Sequence, residues 1–175
     1  FGSADAVTAA YTYMVRGLLD TVKVNNILVA DLNYDGYGNR QSIWEPDSGT
    51  TTFTYYSTAW LKQITDAANK KTKFTYDALG RVEQRIDGYL GTLPVTNTWT
   101  WDTATNGIGQ LASRSNGSQF TESYSYDTVS RLDTITATVN VAGFNDTGPY
   151  VVDYGYSAGR LSTTTYPNSV TITND

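Results

Sequence analysis

Phe74-Thr75-Tyr76-Asp77-Ala78-Leu79-Gly80-Arg81-Val82 decides the fold, because the chain carries seven versions of it. Tyr124-Ser125-Tyr126-Asp127-Thr128-Val129-Ser130-Arg131-Leu132 follows it closely. Phe53-Thr54-Tyr55 opens a copy that keeps the frame through Trp60 and Leu61 but lacks the Asp and the Gly. Tyr11-Thr12-Tyr13, with Gly17 and Leu19, and Leu32-Asn33-Tyr34-Asp35-Gly36-Tyr37-Gly38 come earlier. Trp99-Thr100-Trp101-Asp102 comes later, with Gly109 and Leu111 beyond an insertion. Tyr154-Gly155-Tyr156-Ser157-Ala158-Gly159-Arg160-Leu161 closes the series, one residue short. The second ring falls at 13, 34, 55, 76, 101, 126 and 156, in steps of 21 three times and then 25, 25 and 30. A period near twenty residues marks a repeat architecture.

Each copy spells an antiparallel hairpin. Two rings separated by one Thr or Ser share a strand face, with the hydroxyl residue on the other. Asp opens a turn because its carboxylate accepts backbone N–H groups two residues on. Gly tolerates the left-handed conformation that closes a three-residue loop. Arg-Val or Arg-Leu starts the return strand. Turns between copies are expected at Asn25-Asn26, Asp47-Ser48-Gly49, Asn69-Lys70, Asn116-Gly117 and Pro167-Asn168. Asn116-Gly117 carries the strongest type I′ signal. The extra length of the later copies lies in loops, Asp87 to Pro94 and Ala142 to Pro149.

The pattern predicts an all-β chain of about fourteen short strands. Residues 1–175 are expected to form a single domain of about seven hairpin repeats, open at both ends and part of a longer chain. A lone hairpin cannot bury its apolar face, so the hairpins stack into one sheet that twists and spirals. Leu61 and Ile64, like Leu132 and Ile135, fall on opposite faces of a regular strand, so no clean apolar side is readable. Only Ala4 to Tyr13 and Asp66 to Lys73 offer a weak helical pattern. Open strand edges predict self-association.

Composition narrows the function. Net charge is −5, and Lys70, Lys71 and Lys73 make the nearest approach to a basic cluster. That argues against nucleic acid, which needs a basic footprint. No apolar run has the length of a membrane helix. An outer-membrane barrel also alternates, but too few apolar residues alternate here. There is no Cys and no His, so neither the Ser-His-Asp nor the Cys-His arrangement can form, nor an ordinary zinc site.

The string Phe74 to Val82 resembles the YD repeat of the Rhs, insecticidal-toxin-complex and teneurin proteins. The resemblance runs from Tyr11 to about Pro167. It implies a β-strip that spirals into a hollow shell, secreted or at the cell surface, enclosing a toxin or other cargo polypeptide in bacterial members. It implies the rest of a longer repeat chain and its cargo as partners, no cofactor and no catalysis. The paired Asp-Pro motifs that end bacterial shells have no counterpart here.

The residues themselves favour architecture over catalysis. Asp35, Asp77, Asp102 and Asp127 recur at the repeat's own turn position, which marks them as turn formers. The structural carriers are Tyr34, Asp35 and Gly38; Phe53 and Tyr55; Phe74, Tyr76, Asp77, Gly80 and Arg81; Trp99, Trp101 and Asp102; Tyr124, Tyr126, Asp127 and Arg131; and Tyr154, Tyr156, Gly159 and Arg160. Asp31, Asn33 and Asp35 match the first half of a calcium loop, but Ser42 stands where its last ligand belongs. Trp44 and Trp60 are the candidate ligand-facing rings. They support the alternative function, a surface module binding a glycan or a partner protein through aromatics and the loop Val141 to Pro149. Asn116-Gly117-Ser118 and Asn145-Asp146-Thr147 fit glycosylation acceptors.

Overall fold

The computed structural model describes residues 7–143 and 148–174. Every element among them is a strand or a turn. In chain order these are β1 (Ala9–Tyr13), β2 (Leu19–Val24), β3 (Ile27–Tyr34), β4 (Arg40–Glu45), β5 (Gly49–Tyr55), β6 (Leu61–Thr65), β7 (Lys71–Tyr76) and β8 (Val82–Asp87). Then follow β9 (Val95–Trp101), β10 (Leu111–Asn116), β11 (Phe120–Tyr126), β12 (Leu132–Val139), β13 (Tyr150–Ser157), β14 (Arg160–Thr165) and β15 (Thr171–Thr173). The fifteen make one open sheet in sequence order. The fifteenth, just after the seventh hairpin, accounts for the difference from fourteen. Among the described residues neither helical pattern holds, residues 4–6 of the first lying outside them. Ala9–Tyr13 is a strand, and Asp66 to Asn69 is a turn leading into β7.

The chain divides into two compact units, Phe1–Thr75 with Ile86–Pro94 and Tyr76–Arg85 with Val95–Asp175. Tyr13, Tyr34, Tyr55, Tyr76, Trp101 and Tyr126 each end a strand, and Tyr156 is next to last in its own. The period in the sequence is therefore the period of the hairpins.

One feature of the hairpins resolves the two-faced pattern. In β5–β6, Tyr55 pairs with Leu61 and Thr54 with Gln63, so Lys62 is an extra residue. Directly opposed residues share a face. Phe53, opposite Ile64, is two residues before Tyr55, so Leu61 and Ile64 lie together with both rings. The same shift puts Leu132 and Ile135 opposite Tyr126 and Tyr124, with Asp133 extra. It recurs beside Tyr13, Tyr34, Trp101 and Tyr156. A bulge of this kind places two residues against one and bends the strand. It converts an i, i+3 apolar spacing into one apolar face.

The opposite face is a lattice of hydroxyls. Thr98, Ser115, Thr121 and Thr138 form one row of direct cross-strand partners, and Thr100, Ser113, Ser123 and Thr136 a second. Exposure alternates accordingly along β5 and β11, with the ring face half-buried and the hydroxyl face open. Among the described residues only Leu32, at 6%, and Ala112, at 8%, are buried hydrophobic side chains. The sheet therefore has no deep core, and its cohesion comes from contacts between neighbouring hairpins.

Turn geometry corrects one expectation. Asn116-Gly117 is not a type I′ pair, because only Gly117 has positive φ (51°) there and Asn116 pairs with Phe120 across a three-residue loop. The two-residue turn with both φ positive is Asn25-Asn26 (48° and 66°), between the paired Val24 and Ile27. The short last copy makes another, Ala158-Gly159 (49° and 80°), between Ser157 and Arg160. The inserted loop of the fifth hairpin folds under the next ring. A Cβ on the buried Gly107 would lie 2.9 Å from both the Ala104 Cβ and the Tyr126 Cδ2. Gly107→Ala should destabilise by about 1–3 kcal/mol through overpacking, read by chemical melts. An unchanged midpoint would mean that the loop moves aside freely.

Candidate functional site

The repeated chemistry gathers at the hairpin tips. In the copy that opened the sequence argument, Asp77 N–H donates to the Arg81 carbonyl at 2.9 Å and Gly80 N–H to the Asp77 carbonyl at 3.1 Å. Asp77 Oδ1 accepts the amides of Leu79 and Arg81, and Oδ2 accepts Arg81 Nε at 2.7 Å. Asp127 holds Val129 and Arg131 in the same way. Asp35 holds Tyr37 and Asn39, with the Asn39 amide in place of the guanidinium. Gly38 and Gly80 take the left-handed position at φ 93° and 82°. Asp66 builds a further turn of this type, accepting Lys70 N–H while Asn69 takes φ 61°. Sequence reading placed a turn there but missed its kinship, because no aromatic pair precedes Asp66.

The second ring of a copy fastens its hairpin to the one before. Tyr55 Oη donates to the Arg40 carbonyl at 2.8 Å, Tyr126 Oη to Leu111 at 2.7 Å and Tyr156 Oη to Leu132 at 2.8 Å. Trp101 makes the same bond through Nε1 to the Val82 carbonyl at 2.9 Å. Each acceptor is the first residue of a return strand, and Arg40, Leu111 and Leu132 stand beside the bulge. A Trp fits a Tyr position because both carry a donor at the far end of a flat apolar ring.

The Arg of one tip also covers the ring of the next copy. Arg81 lies 5.0 Å from the Trp101 ring centre and Arg131 4.2 Å from that of Tyr156. Arg40 lies 4.5 Å from Phe53. Arg81 also reaches Asp102, with Nη1 3.1 Å from Oδ1 and Nη2 bonded to Oδ2. At the Arg81 and Arg131 tips, Asp, Arg and the ring of the next copy thus form one chain of contacts. On the ring face, Glu122 joins Arg114 and the Tyr124 hydroxyl. Partial burial, and then Glu122, push the Tyr124 phenol up to about 12.

These contacts set the titration of the tips. The Asn39 amide leads in holding Asp35 below the usual carboxylate range, the Arg81 guanidinium in holding Asp102, and the Arg131 amide in holding Asp127. For Asp77 partial desolvation pushes upward and is outweighed by Arg81 and Leu79. A depressed folded-state value contributes stability above the ordinary carboxyl pKa of about 4 and loses it as pH falls through the depressed values. Tm should therefore hold between about pH 7 and 5 and fall steeply below about pH 4. A flat Tm down to about pH 2 would show that the tip carboxylates contribute nothing.

The other candidate residues are scattered. Trp44 stands on the hydroxyl face, opposite Asp31 and Thr50 and 36% exposed. Trp60 is half-buried at a tip, where its carbonyl accepts Tyr56 N–H. They lie at opposite ends of their hairpins. Trp99 shares the ring face with Trp101. Asp31 and Asn33 belong to the hydroxyl face, while both Asp35 oxygens are engaged by the turn. Among the described residues no group of three or more His, Cys, Asp or Glu gathers in metal-binding proximity. No helix among them is long and apolar enough to cross a membrane. Asn116 Nδ2 donates to Asn97 Oδ1 at 2.9 Å, so that amide is already engaged. Asn145-Asp146-Thr147 lies outside the described residues, as does part of the loop Val141 to Pro149.

Residues 60–89, which span β6 to β8 and the Phe74–Val82 stretch, match the RHS Repeat family model. No curated protein sequence matches the chain. The fold is that of solved TcdB2-TccC3 structures. TcdB2-TccC3 without its hypervariable C-terminal region matches 96% of this chain with a TM-score of 0.75 and 16% identity. TcdB2-TccC3-Cdc42 matches the same share with a TM-score of 0.76 and 15% identity. TcdB2-TccC3-TEV gives 0.75 and 16% over 96%. This chain covers 10% of each of those chains.

Proposed function

From a chain built of YD/RHS repeats, we propose a stretch of wall in a secreted or surface-exposed repeat shell that encloses a cargo polypeptide. One observation carries this role: the bond from ring to preceding carbonyl, repeated at Tyr55, Trp101, Tyr126 and Tyr156. It ties successive hairpins into a strip without needing a deep core, and a strip of that kind can be extended by adding copies. Continuous backbone pairing leaves little unpaired chain for a protease to engage, which suits confinement of another polypeptide. The likeness of fold to chains about ten times as long supports a wall larger than seven hairpins. The role is architectural, with the hairpin tips as joints rather than catalytic groups.

Limited trypsin digestion of the full-length gene product tests it. A protected polypeptide outside the repeats should survive while the wall is intact. It should become digestible when Tyr126 and Tyr156 are both changed to Phe. A product with no further repeats, or one whose non-repeat parts are cut equally with and without intact joints, would sink encapsulation. Self-association through the outer edges of β1 and β15 belongs to the same proposal. It predicts concentration-dependent sedimentation of the isolated 175-residue chain.

A further inference from the structure

Two junctions differ at both of the positions that can bridge one hairpin tip to the next. Between the fourth and fifth hairpins, Arg81 bridges to Asp102 across a cleft of about 450 Å³. At the equivalent positions between the second and third hairpins, Asn39 replaces the Arg and Tyr56 replaces the Asp. Asn39 folds back on Asp35 at 2.9 Å, and Tyr56 sends its hydroxyl to the Phe74 carbonyl at 3.0 Å. The cleft there measures about 720 Å³. The larger of these two clefts lies where both bridge residues are replaced.

The chemistry of this cleft is aromatic and polar. It is lined by Tyr37, Tyr55 and Tyr56, the Asn39 and Gln41 amides, and Asp35. Tyr37 is 93% exposed, although the same turn position elsewhere holds Leu79 or Val129. The Asp35 carboxylate is held in place by the Tyr37 and Asn39 N–H groups and by the Asn39 side-chain amide. Two cations stand over rings that border the cleft, Arg40 at 4.5 Å from the Phe53 ring centre and Lys62 at 5.5 Å from that of Tyr56. Flat ring faces beside side-chain amides match a polyhydroxylated ring with apolar C–H faces. We propose that this cleft binds an oligosaccharide. The site is independent of the wall role.

The test is titration of the protein with cello-, chito-, malto- and mannohexaose, followed by saturation-transfer NMR and calorimetry. At least one should bind with a Kd on the order of 1 mM or tighter. Tyr37→Ala, at an exposed tip, should weaken it by about tenfold or more. Asn39→Arg combined with Tyr56→Asp rebuilds the bridge of the other junction, and this variant should fold and bind none of the four. Absence of binding by all four sugars overturns the proposal. So does undiminished binding by the folded double variant, or binding that Tyr37→Ala leaves unchanged.

Discussion

Deleting Ser125 should abolish the native packing of its hairpin, while deleting Asp133, its hydrogen-bonded neighbour across the ladder, should leave the fold standing. Both are exposed polar residues, and Ser125 Oγ lies 3.4 Å from Asp133 Oδ2. Their places in the ladder differ. Asp133 is the extra residue of the bulge, so without it Leu132, Thr134 and Ile135 alternate regularly and keep their partners Tyr126, Ser125 and Tyr124. Ser125 is the spacer that puts Tyr124 and Tyr126 on one face. Without it, either the rings of β11 turn to the hydroxyl side or the Asp127 turn is pulled out of register. A one-residue slip sends every side chain of a strand to the other face. The expected cost is above about 4 kcal/mol for the Ser125 deletion, against about 1–2 kcal/mol for loss of the bulge. Chemical melts and amide exchange across β11 and β12 would measure both. Equal losses would show that the bulge does not set the faces.

Tyr126→Ala is expected to cost about 2–3 kcal/mol, below the 3–5 typical of a fully buried ring because this one is half-buried. The ring borders Gly107, pairs with Leu132, and carries the hydroxyl that bonds Leu111. Tyr126→Phe isolates the hydroxyl and should cost about 1 kcal/mol, the usual net value of one such bond. A Phe variant as damaging as the Ala variant would make the carbonyl bond the main contributor. A Phe variant without effect would remove the hydroxyl from the joint and leave only the ring.

The hairpins were legible because strand, turn and period agree at the same residues. Tyr76 before Asp77, and Gly80 three positions on, fix a strand end, a turn and a return. The faces were not legible, because the bulge has no residue signature. Its extra position is Gln41, Lys62, Ala112, Asp133 or Ser162, five side chains with nothing in common. The joints were also hidden. Their acceptors are backbone carbonyls, which no sequence pattern displays, and their donors look like ordinary strand aromatics. Trp101 gave the one available hint, since a Trp can replace a Tyr there without losing a terminal donor. Asn116-Gly117 misled because its dipeptide suits type I′ while its flanks close a loop of three.

The joints also have a direction in time. Tyr55, Trp101, Tyr126 and Tyr156 all reach toward the N-terminus, to acceptors 15, 19, 15 and 24 residues earlier. During synthesis the receiving carbonyl therefore leaves the ribosome before the ring that seizes it. Each nascent hairpin meets a finished template and need not wait for sequence still to be made. Tyr56 is the counter-example, since its acceptor at Phe74 is made 18 residues later. The strip is built to grow by accretion from its first hairpin onward, the order in which translation delivers it.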